Sequence, residues 1–196
     1  MDELALIQEA QRGNVSSFNT LVLHYQGGAF NLAYRLIGEP DAAADATQEA
    51  FISAYTHLSH FRGGSFKSWL MRIVTNACYD EMRRRKRRPV VSLDDMADGA
   101  ELQLISPAES LESAAQRSAL SRIIQDCLDG LPDEQRLVTV LCDIQSYDYQ
   151  EIAAVTQVSL GTVKSRISRA RQRLRDCLQS AGELLPEAYR LDRRDG

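Results

Sequence analysis

Apolar residues in the first half of the chain recur at steps of three and four, the spacing of one buried helical face. The pattern predicts a long helix over residues 18–36 that Gly38 ends, and a second helix over 40–58. A third helix over 66–88 runs into a block of arginines, and a short helix lies near residues 2–12. We therefore expect a small helical bundle.

The same spacing of apolar residues occurs near the carboxyl end, where it predicts shorter helices. A helix predicted from Leu120 ends at Gly130, and Pro132 begins the next. The pair Asp148 and Glu151 forms a capping box that starts a short helix over 149–156. Ser159 can cap a final helix with the apolar positions Leu160, Val163, Ile167, Ala170, Leu174 and Leu178. No alternating β-branched stretch competes with these helices, so we predict an all-α fold.

Residues 89–116 show no sustained period, carry no basic side chain and contain two prolines, so they are predicted to be a flexible acidic linker. The predicted organisation is a first helical domain over 1–88, this linker, a second domain over 117–180 and a tail over 181–196. The second domain has the order of a helix-turn-helix.

Composition narrows the class of protein. Of 196 residues, 44% are hydrophobic and 26% charged, which is typical of a soluble globular protein. The chain lacks a long apolar run and a signal-peptide pattern, so we expect no membrane insertion and a cytoplasmic location. Its four cysteines (78, 127, 142 and 177) show no CxxC spacing, and they are expected to be packing thiols.

The net charge of -4 hides an uneven distribution. Residues 1–88 carry 11 basic and 9 acidic side chains. The predicted linker carries no basic and 6 acidic side chains, and residues 117–196 carry 12 of each kind. Basic residues are concentrated at 83–88, the arginine block, and at 164–175, which contains no acid. Two such patches on an acidic chain favour nucleic acid as the partner.

The last helix carries the more specific of these patches. When its apolar stripe is packed against the preceding helices, the opposite face of this helix points outward. The major groove of DNA is wide enough to admit an α-helix. Thr162 and Ser165 near its start are small enough for the backbone to approach phosphates. The outward side chains are Lys164, Ser165, Arg166, Ser168, Arg169, Arg171, Gln172, Arg173 and Arg175. The alternative is a solvated basic face, although such faces usually mix charges of both signs.

The arginine block is less specific, because it fits a nucleic-acid patch, a peptide-binding segment or a solvated helix end. Upstream on the same helix, Lys67, Arg72, Asn76 and Tyr79 supply cations, an amide and an aromatic ring. These groups suit a surface that holds unpaired bases beside a phosphate backbone. Trp69 is more simply explained as a core residue.

Asp41, Asp45 and Glu49 stand at four-residue steps and form an acidic ridge, with Gln48 and Ile52 beside it. Like charges at that spacing repel, so the ridge favours a docking face for a basic partner over a merely solvated surface. Carboxylates on one helix do not converge on a metal without other ligands. We predict no metal site, no catalytic residue, no cofactor and no enzymatic activity.

Three segments resemble the sigma-70 family of bacterial transcription initiation factors, in particular its small extracytoplasmic-function (ECF) group. DATQEAFISAY at 45–55 is similar to the polymerase-docking segment, and FRGGSFKSWLMRIVTNACYDEMRRRKR at 61–87 to the part that opens and reads the minus-ten element. Residues 131–175 are similar to the minus-thirty-five reader, and GTVKSRISRAR at 161–171 is the most specific string. The resemblance implies a factor that binds core RNA polymerase, recognises both promoter elements and promotes strand opening.

The resemblance also implies roles for individual residues. Core polymerase would contact Asp41, Asp45, Gln48, Glu49, Phe51 and Ile52. The minus-ten strand would contact Lys67, Arg72, Asn76, Tyr79, Arg83 and Arg84. The minus-thirty-five element would contact Thr162, Lys164, Ser165, Arg166, Arg169, Arg171 and Arg173. An anti-sigma factor is implied as a further partner.

The chain departs from the family pattern in places. Gly63, Gly64 and Ser65 stand where an acidic or polar residue is common, so the preferred base is not predicted. The tail matches no family motif. Two rival functions are a stand-alone helix-turn-helix regulator, which would bind duplex DNA specifically by itself, and a metal-dependent nucleic-acid enzyme, which needs converging ligands.

Overall fold

A computed structural model describes residues 1–87 and 111–181, with the side chains of 111–117 left aside. All regular structure in these two stretches is helical. The first domain comprises α1 (Glu3–Gln11), α2 (Val15–Ile37), α3 (Pro40–His57), a 3-10 turn (Leu58–His60) and α4 (Phe66–Arg87). The second comprises α5 (Leu111–Asp129), α6 (Asp133–Thr139), a π-helical turn (Val140–Ile144), α7 (Tyr149–Thr156) and α8 (Leu160–Ser180).

Local capping fixes the helix bounds that the sequence predicts. Gly38 ends α2 with φ 81°, a left-handed conformation that glycine adopts without strain, and its N–H donates to the carbonyl of Tyr34. Glu39 caps α3, which has Pro40 in its first turn. The capping box of Asp148 and Glu151 is formed on α7. Ser159 accepts from the N–H of Thr162 at 3.2 Å and caps α8.

Alanines bring α3 close to its neighbours in the first domain. Ala43, Ala46, Ala50 and Ala54 are fully or almost fully buried along one face of α3. Because their side chains are short, α2 and α4 approach this face closely and bring larger residues such as Leu36, Phe66 and Val74 into the same core. The opposite face of α3, which carries the acidic ridge, is left at the surface.

The two domains pack against each other, and the buried hydrophobic residues of both form one continuous cluster. Helix α4 lies along α7, while the carboxyl end of α2 contacts α5 and α6. At the second contact Arg136, only 7% exposed, donates to the carbonyl oxygen of Leu36 at 2.6 Å. Arg35 Nη1 donates to Gln125 Oε1 at 3.2 Å, and a Cβ built on Gly38 would lie 3.3 Å from a carboxylate oxygen of Asp129.

Helix α5 begins at Leu111, within the segment that the sequence assigns to the linker. The rest of the predicted linker and the tail beyond residue 181 lie outside the described residues, so these assignments remain predictions. Within the described helices, none is long and apolar enough to cross a membrane.

The expectation for the cysteines is wrong for two of the four. Cys127 of α5 and Cys177 of α8 form a disulfide, with their Cα atoms 5.8 Å apart. Their sequence separation of 50 gave no sign that folding would bring these helices together. Cys78 and Cys142 are free, and Cys78 is buried as predicted.

Candidate nucleic-acid and docking surfaces

The turn between α7 and α8 sets the orientation of the last helix. Gln157 adopts φ 57° and ends α7, and Ser159 caps α8 only two residues later. The buried stripe of α8 consists of Val163, Ile167 and Ala170. Packing of this stripe leaves the remaining face of α8 at the surface, as the helix-turn-helix motif requires.

The seven residues predicted for the minus-thirty-five element divide into two groups. Lys164, Arg169 and Arg173 are exposed on α8. Thr162 and Ser165 are partly buried, and the Ser165 hydroxyl donates to the Thr162 carbonyl at 3.0 Å. These five residues lie where an approaching duplex would meet the start and outer face of the helix.

The other two arginines are paired with acids of the preceding helical segments. Arg166, partly buried, forms an ion pair with Glu134 of α6. Arg171 binds Asp143 through two nitrogens, with Nε 3.2 Å from Oδ2, and this hydrogen bond raises the arginine pKa further. A bidentate carboxylate fixes the plane of a guanidinium, so Arg171 is held in one orientation along the side of α8.

All six residues predicted for the minus-ten strand lie along α4, and four of them, Lys67, Arg72, Asn76 and Tyr79, face the second domain. Trp69, Arg72, Asn76 and Tyr79 line a cleft of about 630 Å³ between the domains. The opposite wall includes Val155, Thr156, Gln157, Val158 and Arg166. Trp69 also packs against Phe61 and Phe66, in agreement with its predicted core position. The predicted base-holding surface is therefore covered in part by the helix-turn-helix.

Lys67 contacts the second domain directly. Its ammonium lies 3.6 Å from the centroid of the Tyr147 ring and 3.7 Å from a carboxylate oxygen of Glu151. Such a position combines a cation–π contact with an ion pair. Tyr147 is buried against α4, and burial, followed by the Glu151 charge, raises its pKa above the ordinary range.

Tyr79 and Lys86 contact the start of α6. The Tyr79 hydroxyl donates to the carbonyl of Asp133 at 3.5 Å, and Lys86 Nζ lies 3.7 Å from the Asp133 carboxylate. Burial, with the nearby charges of Asp133 and Glu134, raises the pKa of Tyr79 to about 12. The phenol is protonated at neutral pH and donates this hydrogen bond to the α6 start.

Residues 83–87 of the arginine block are exposed, but several of their charges are paired. Arg83 pairs with Asp80, and Arg84 lies 2.8 Å from Glu81 and 3.6 Å from Glu49 of the acidic ridge. Arg85 lies 2.8 Å from Glu39. These pairs are at the surface, where each contributes little and exchanges readily with another anion. The block thus remains able to bind phosphates.

The acidic ridge is accessible. Asp41, Asp45, Gln48 and Glu49 are exposed on α3, Ile52 is 60% exposed, and Phe51 is partly buried. Acidic and apolar side chains stand side by side on one helical face. A surface of this kind suits a protein partner that presents basic side chains around an apolar contact.

Sequence reasoning missed the residues that join the domains. Periodicity indicates contacts along one helix but not contacts between segments that are far apart in the sequence. The contacts between the domains are of the second kind, and they involve Asp133, Arg136, Tyr147 and Glu151. A weak signal was available in Arg136, a cation inside the otherwise apolar pattern of α6. Among residues 1–87 and 111–181, no group of His, Cys, Asp and Glu could hold a metal ion.

Comparison with known proteins adds independent findings. The family model for sigma-70 region 2 matches residues 21–88, and that for sigma-70 region 4 matches residues 121–174. The ECF RNA polymerase sigma factor SigE of Mycolicibacterium smegmatis is 41% identical over 162 residues, which cover 83% of this chain and 62% of that one. The RNA polymerase sigma-H factor of Pseudomonas aeruginosa is 37% identical over 179 residues, 89% and 92% of the two chains.

Two solved structures share the arrangement of the helices. CnrH in complex with the cytosolic domain of CnrY has a TM-score of 0.67 and 28% identity, and covers 91% of this chain and 97% of that chain. RpoE of Bartonella quintana, in complex with the anti-sigma factor NepR, has a TM-score of 0.64 and 27% identity, with 82% and 96% coverage. Both similarities extend over the two domains together.

Proposed function

Because the chain belongs to the ECF group of the sigma-70 family, we propose that it binds core RNA polymerase and directs the enzyme to promoters through both helical domains. The matches to region 2 and region 4, in that order along one chain, carry this proposal. The rival function of a stand-alone regulator is not favoured, since it leaves the first match without a role. Polymerase makes the RNA, and the chain contributes no catalytic residue.

The acidic ridge and Ile52 form the polymerase-docking face. They are exposed on a helix whose other side is buried against α2 and α4, so the face is rigid and free to bind. Asp41, Asp45, Gln48 and Glu49 supply polar contacts, and Phe51 and Ile52 the apolar ones. This assignment places the 1–88 domain on the polymerase.

The helix α8 reads the minus-thirty-five element. Lys164 and Arg169 are exposed, five residues apart, and reach base edges, while Arg173 contacts a phosphate and Arg171 does so only when it leaves Asp143. The α8 amino terminus adds the partial positive charge that favours a phosphate. The 117–180 domain thereby fixes the register of the factor on duplex DNA.

The α4 face holds the minus-ten strand. Asn76 provides an amide that can bind a base edge, Tyr79 and Trp69 provide aromatic surface, and Lys67, Arg72 and the arginine block follow the phosphates. Extrusion of a base costs a few kcal/mol of stacking, which contacts within the polymerase complex offset. Promoter opening takes place in the cytoplasm, where polymerase and chromosome are found.

An anti-sigma factor is the expected regulator. The related RpoE of Bartonella quintana is seen in complex with the anti-sigma factor NepR. A protein of that class would bind this chain across the surfaces used for polymerase and DNA.

The test is run-off transcription from genomic fragments with purified core polymerase. Lys164→Ala and Arg169→Ala should each reduce promoter-specific transcripts by about 5- to 150-fold, since a good bidentate base contact contributes about 1–3 kcal/mol. Arg12→Ala, which removes an exposed cation at the end of α1, is the matched control and should leave transcription unchanged. Specific transcription that survives both α8 changes would refute the assignment of the base readers.

A further inference from the structure

Gln11, the last residue of α1, holds the backbone that leads from α3 into α4. Its side-chain amide donates hydrogen bonds of 3.0 Å to the carbonyl oxygens of both Leu58 and Phe61. These acceptors are the first residue of the 3-10 turn and the residue that follows the turn. They lie 47 and 50 residues from Gln11 in the sequence, so one amide of the first helix fixes the start of a distant connection.

The connection from Phe61 to Ser65 is held at both ends and open in the middle. At its far end, the Ser65 hydroxyl accepts from the N–H of Ser68 at 3.1 Å, as a helix cap does. Gly63 and Gly64 have φ angles of 106° and 89°. Beyond their chain neighbours, no described atom lies within 4 Å of a Cβ built on either glycine. Because unsupported glycines adopt many conformations, the shape of this tip depends on how its two ends are held.

The connection borders the surface proposed for the minus-ten strand. His60, which lies between the two acceptors, lines the same cleft as Trp69 and Asn76. The ring centroids of Phe61 and Trp69 are 5.4 Å apart. A displacement of the 3-10 turn would therefore move groups that stand directly beside the aromatic and amide side chains of α4.

Helix α1 is anchored in the first domain, so it provides a fixed support. Ile7 and Ala10 are each only 4% exposed. The Ser17 hydroxyl of α2 donates to the Glu9 carboxylate at 2.5 Å, which joins the two helices near the turn between them. Gln11 itself is exposed, and substitution of an exposed side chain usually changes stability little. An effect of its substitution on promoter opening would consequently come from the two hydrogen bonds.

We propose that Gln11 is a positioning residue for the minus-ten strand, because it holds residues 58–65 in the shape that receives an unpaired base beside Trp69 and Asn76. The inference rests on the proposed role of the α4 face. Gln11 does not contact the strand; it keeps His60 and the glycine tip in place before the strand arrives. Order that exists in advance favours binding, since less conformational entropy is lost when the base is held.

The test compares three variants of the full chain. Gln11→Glu keeps the shape of the side chain and removes both donors. Gln11→Lys places an ammonium donor near the same two carbonyls. Gln8→Glu makes the identical chemical change at an exposed position on the same helix, and it is the matched control.

Three quantities are measured for the wild type and each variant. Hydrogen exchange followed by mass spectrometry reports the order of residues 58–65. A fluorescence titration gives the affinity for core polymerase. Run-off transcription uses one promoter fragment in two forms, as a complete duplex and with a template strand mismatched over the minus-ten element. The mismatches remove the cost of unpairing the strand.

Gln11→Glu should speed exchange in residues 58–65 and lower run-off from the duplex about three- to tenfold. On the mismatched fragment the loss should shrink to less than about twofold, because the bases are already unpaired. Gln11→Lys should regain most of the activity on the duplex. Gln8→Glu should behave as the wild type, and affinity for polymerase should be the same throughout.

Several results would overturn the inference. Unchanged exchange in Gln11→Glu would show that the amide does not hold the segment, and unchanged run-off from the duplex would show that the strand does not need it. Equal losses on both fragments, weaker polymerase binding, or no recovery in Gln11→Lys would each indicate a general structural role. A wild type that gives no promoter-specific transcript would refute the proposed function itself, which the other outcomes leave intact.

Discussion

The guanidinium of Arg136 donates a hydrogen bond of 2.6 Å to the carbonyl oxygen of Leu36, the penultimate residue of α2. Its other nitrogen donates to the carbonyl of Asp129 at 2.8 Å, and Nη1 lies 3.0 Å from the Asp129 carboxylate. One buried cation thus satisfies acceptors in both domains. Removing it would leave the carbonyl of Leu36 without this donor and the Asp129 carboxylate with only its hydrogen bond from Gln125.

Arg136→Ala should lower the free energy of unfolding by about 2–3 kcal/mol. Loss of one partner of a buried pair usually costs more, but the Asp129 side chain is 44% exposed and water compensates part of the loss. Urea denaturation followed by circular dichroism measures the change. Arg122→Ala, an exposed residue of α5, should stay within about 0.5 kcal/mol of the wild type. Equal stability of the two variants would contradict the role given to Arg136.

Asp143→Asn should strengthen binding of duplex DNA. The substitution releases Arg171 from its bidentate pair, so that one more cation can neutralise a phosphate. We expect the log-log dependence of affinity on salt to become steeper by up to about 0.9, the value for one additional phosphate. The measurement is fluorescence anisotropy over a salt series.

A matched control for this effect is Asp176→Asn. Asp176 is an exposed acid of α8 that accepts from Gln172 at 2.9 Å, so its loss removes the same charge without releasing an arginine. If both variants show the same slope, the change reflects net charge alone, and the explanation through Arg171 is wrong.

Reduction of the disulfide should destabilise the second domain. A link that closes a loop of 50 residues restricts the unfolded chain and typically contributes about 2–4 kcal/mol. The melting temperature should therefore fall on addition of dithiothreitol, and Cys127→Ser should abolish this dependence. Denatured protein should show two reactive thiols before reduction and four after it, because Cys78 and Cys142 are free.

Cys78 should resist alkylation in the native state at pH 8. Burial raises its pKa to about 12, so only about one molecule in ten thousand carries the reactive thiolate at that pH. Cys142 is partly exposed and should be modified first. Peptide mapping after brief treatment with iodoacetamide distinguishes the two sites. Rapid modification of Cys78 would show that the first domain opens readily.

The two faces of α3 should respond differently to substitution. Ala50 is fully buried between helices, so Ala50→Leu should cost about 1–3 kcal/mol of stability through overpacking. Asp45 is exposed on the acidic ridge, and Asp45→Ala should leave stability unchanged while it weakens binding to core polymerase several-fold. Thermal melting and a polymerase pull-down separate these effects. Loss of stability in Asp45→Ala would argue against a docking role.

The sequence predicted most of the helices, because their ends are set by local chemistry. Gly38, the Asp148–Glu151 capping box and Ser159 act within a few residues of the backbone groups that they satisfy. The π-helical turn at Val140–Ile144 was not predicted, since its geometry depends on packing around it. The start of α5 at Leu111 likewise has no local signal in the acidic, proline-containing segment before it.

Contacts between distant segments were beyond the sequence patterns. Periodicity identified α4 and α7 as helices, but it did not predict that Lys67 would lie over the ring of Tyr147. Nor did it show that Cys127 and Cys177 would meet, and spacing alone led to the wrong expectation there. The exposed acidic ridge and the cations of α8 were predicted because surface position follows from the apolar stripe on the same helix.

The absence of a side chain at Gly38 meets two structural requirements. Its positive φ turns the backbone from α2 into α3, and its bare Cα leaves room for Asp129 of the other domain. Any larger residue at this position would be strained by the positive φ and would require the Asp129 side chain to move. The turn between two helices of the first domain is consequently also a contact with the second domain, so that a substitution at this glycine would disturb Asp129 and, through it, the buried pair that Asp129 forms with Arg136.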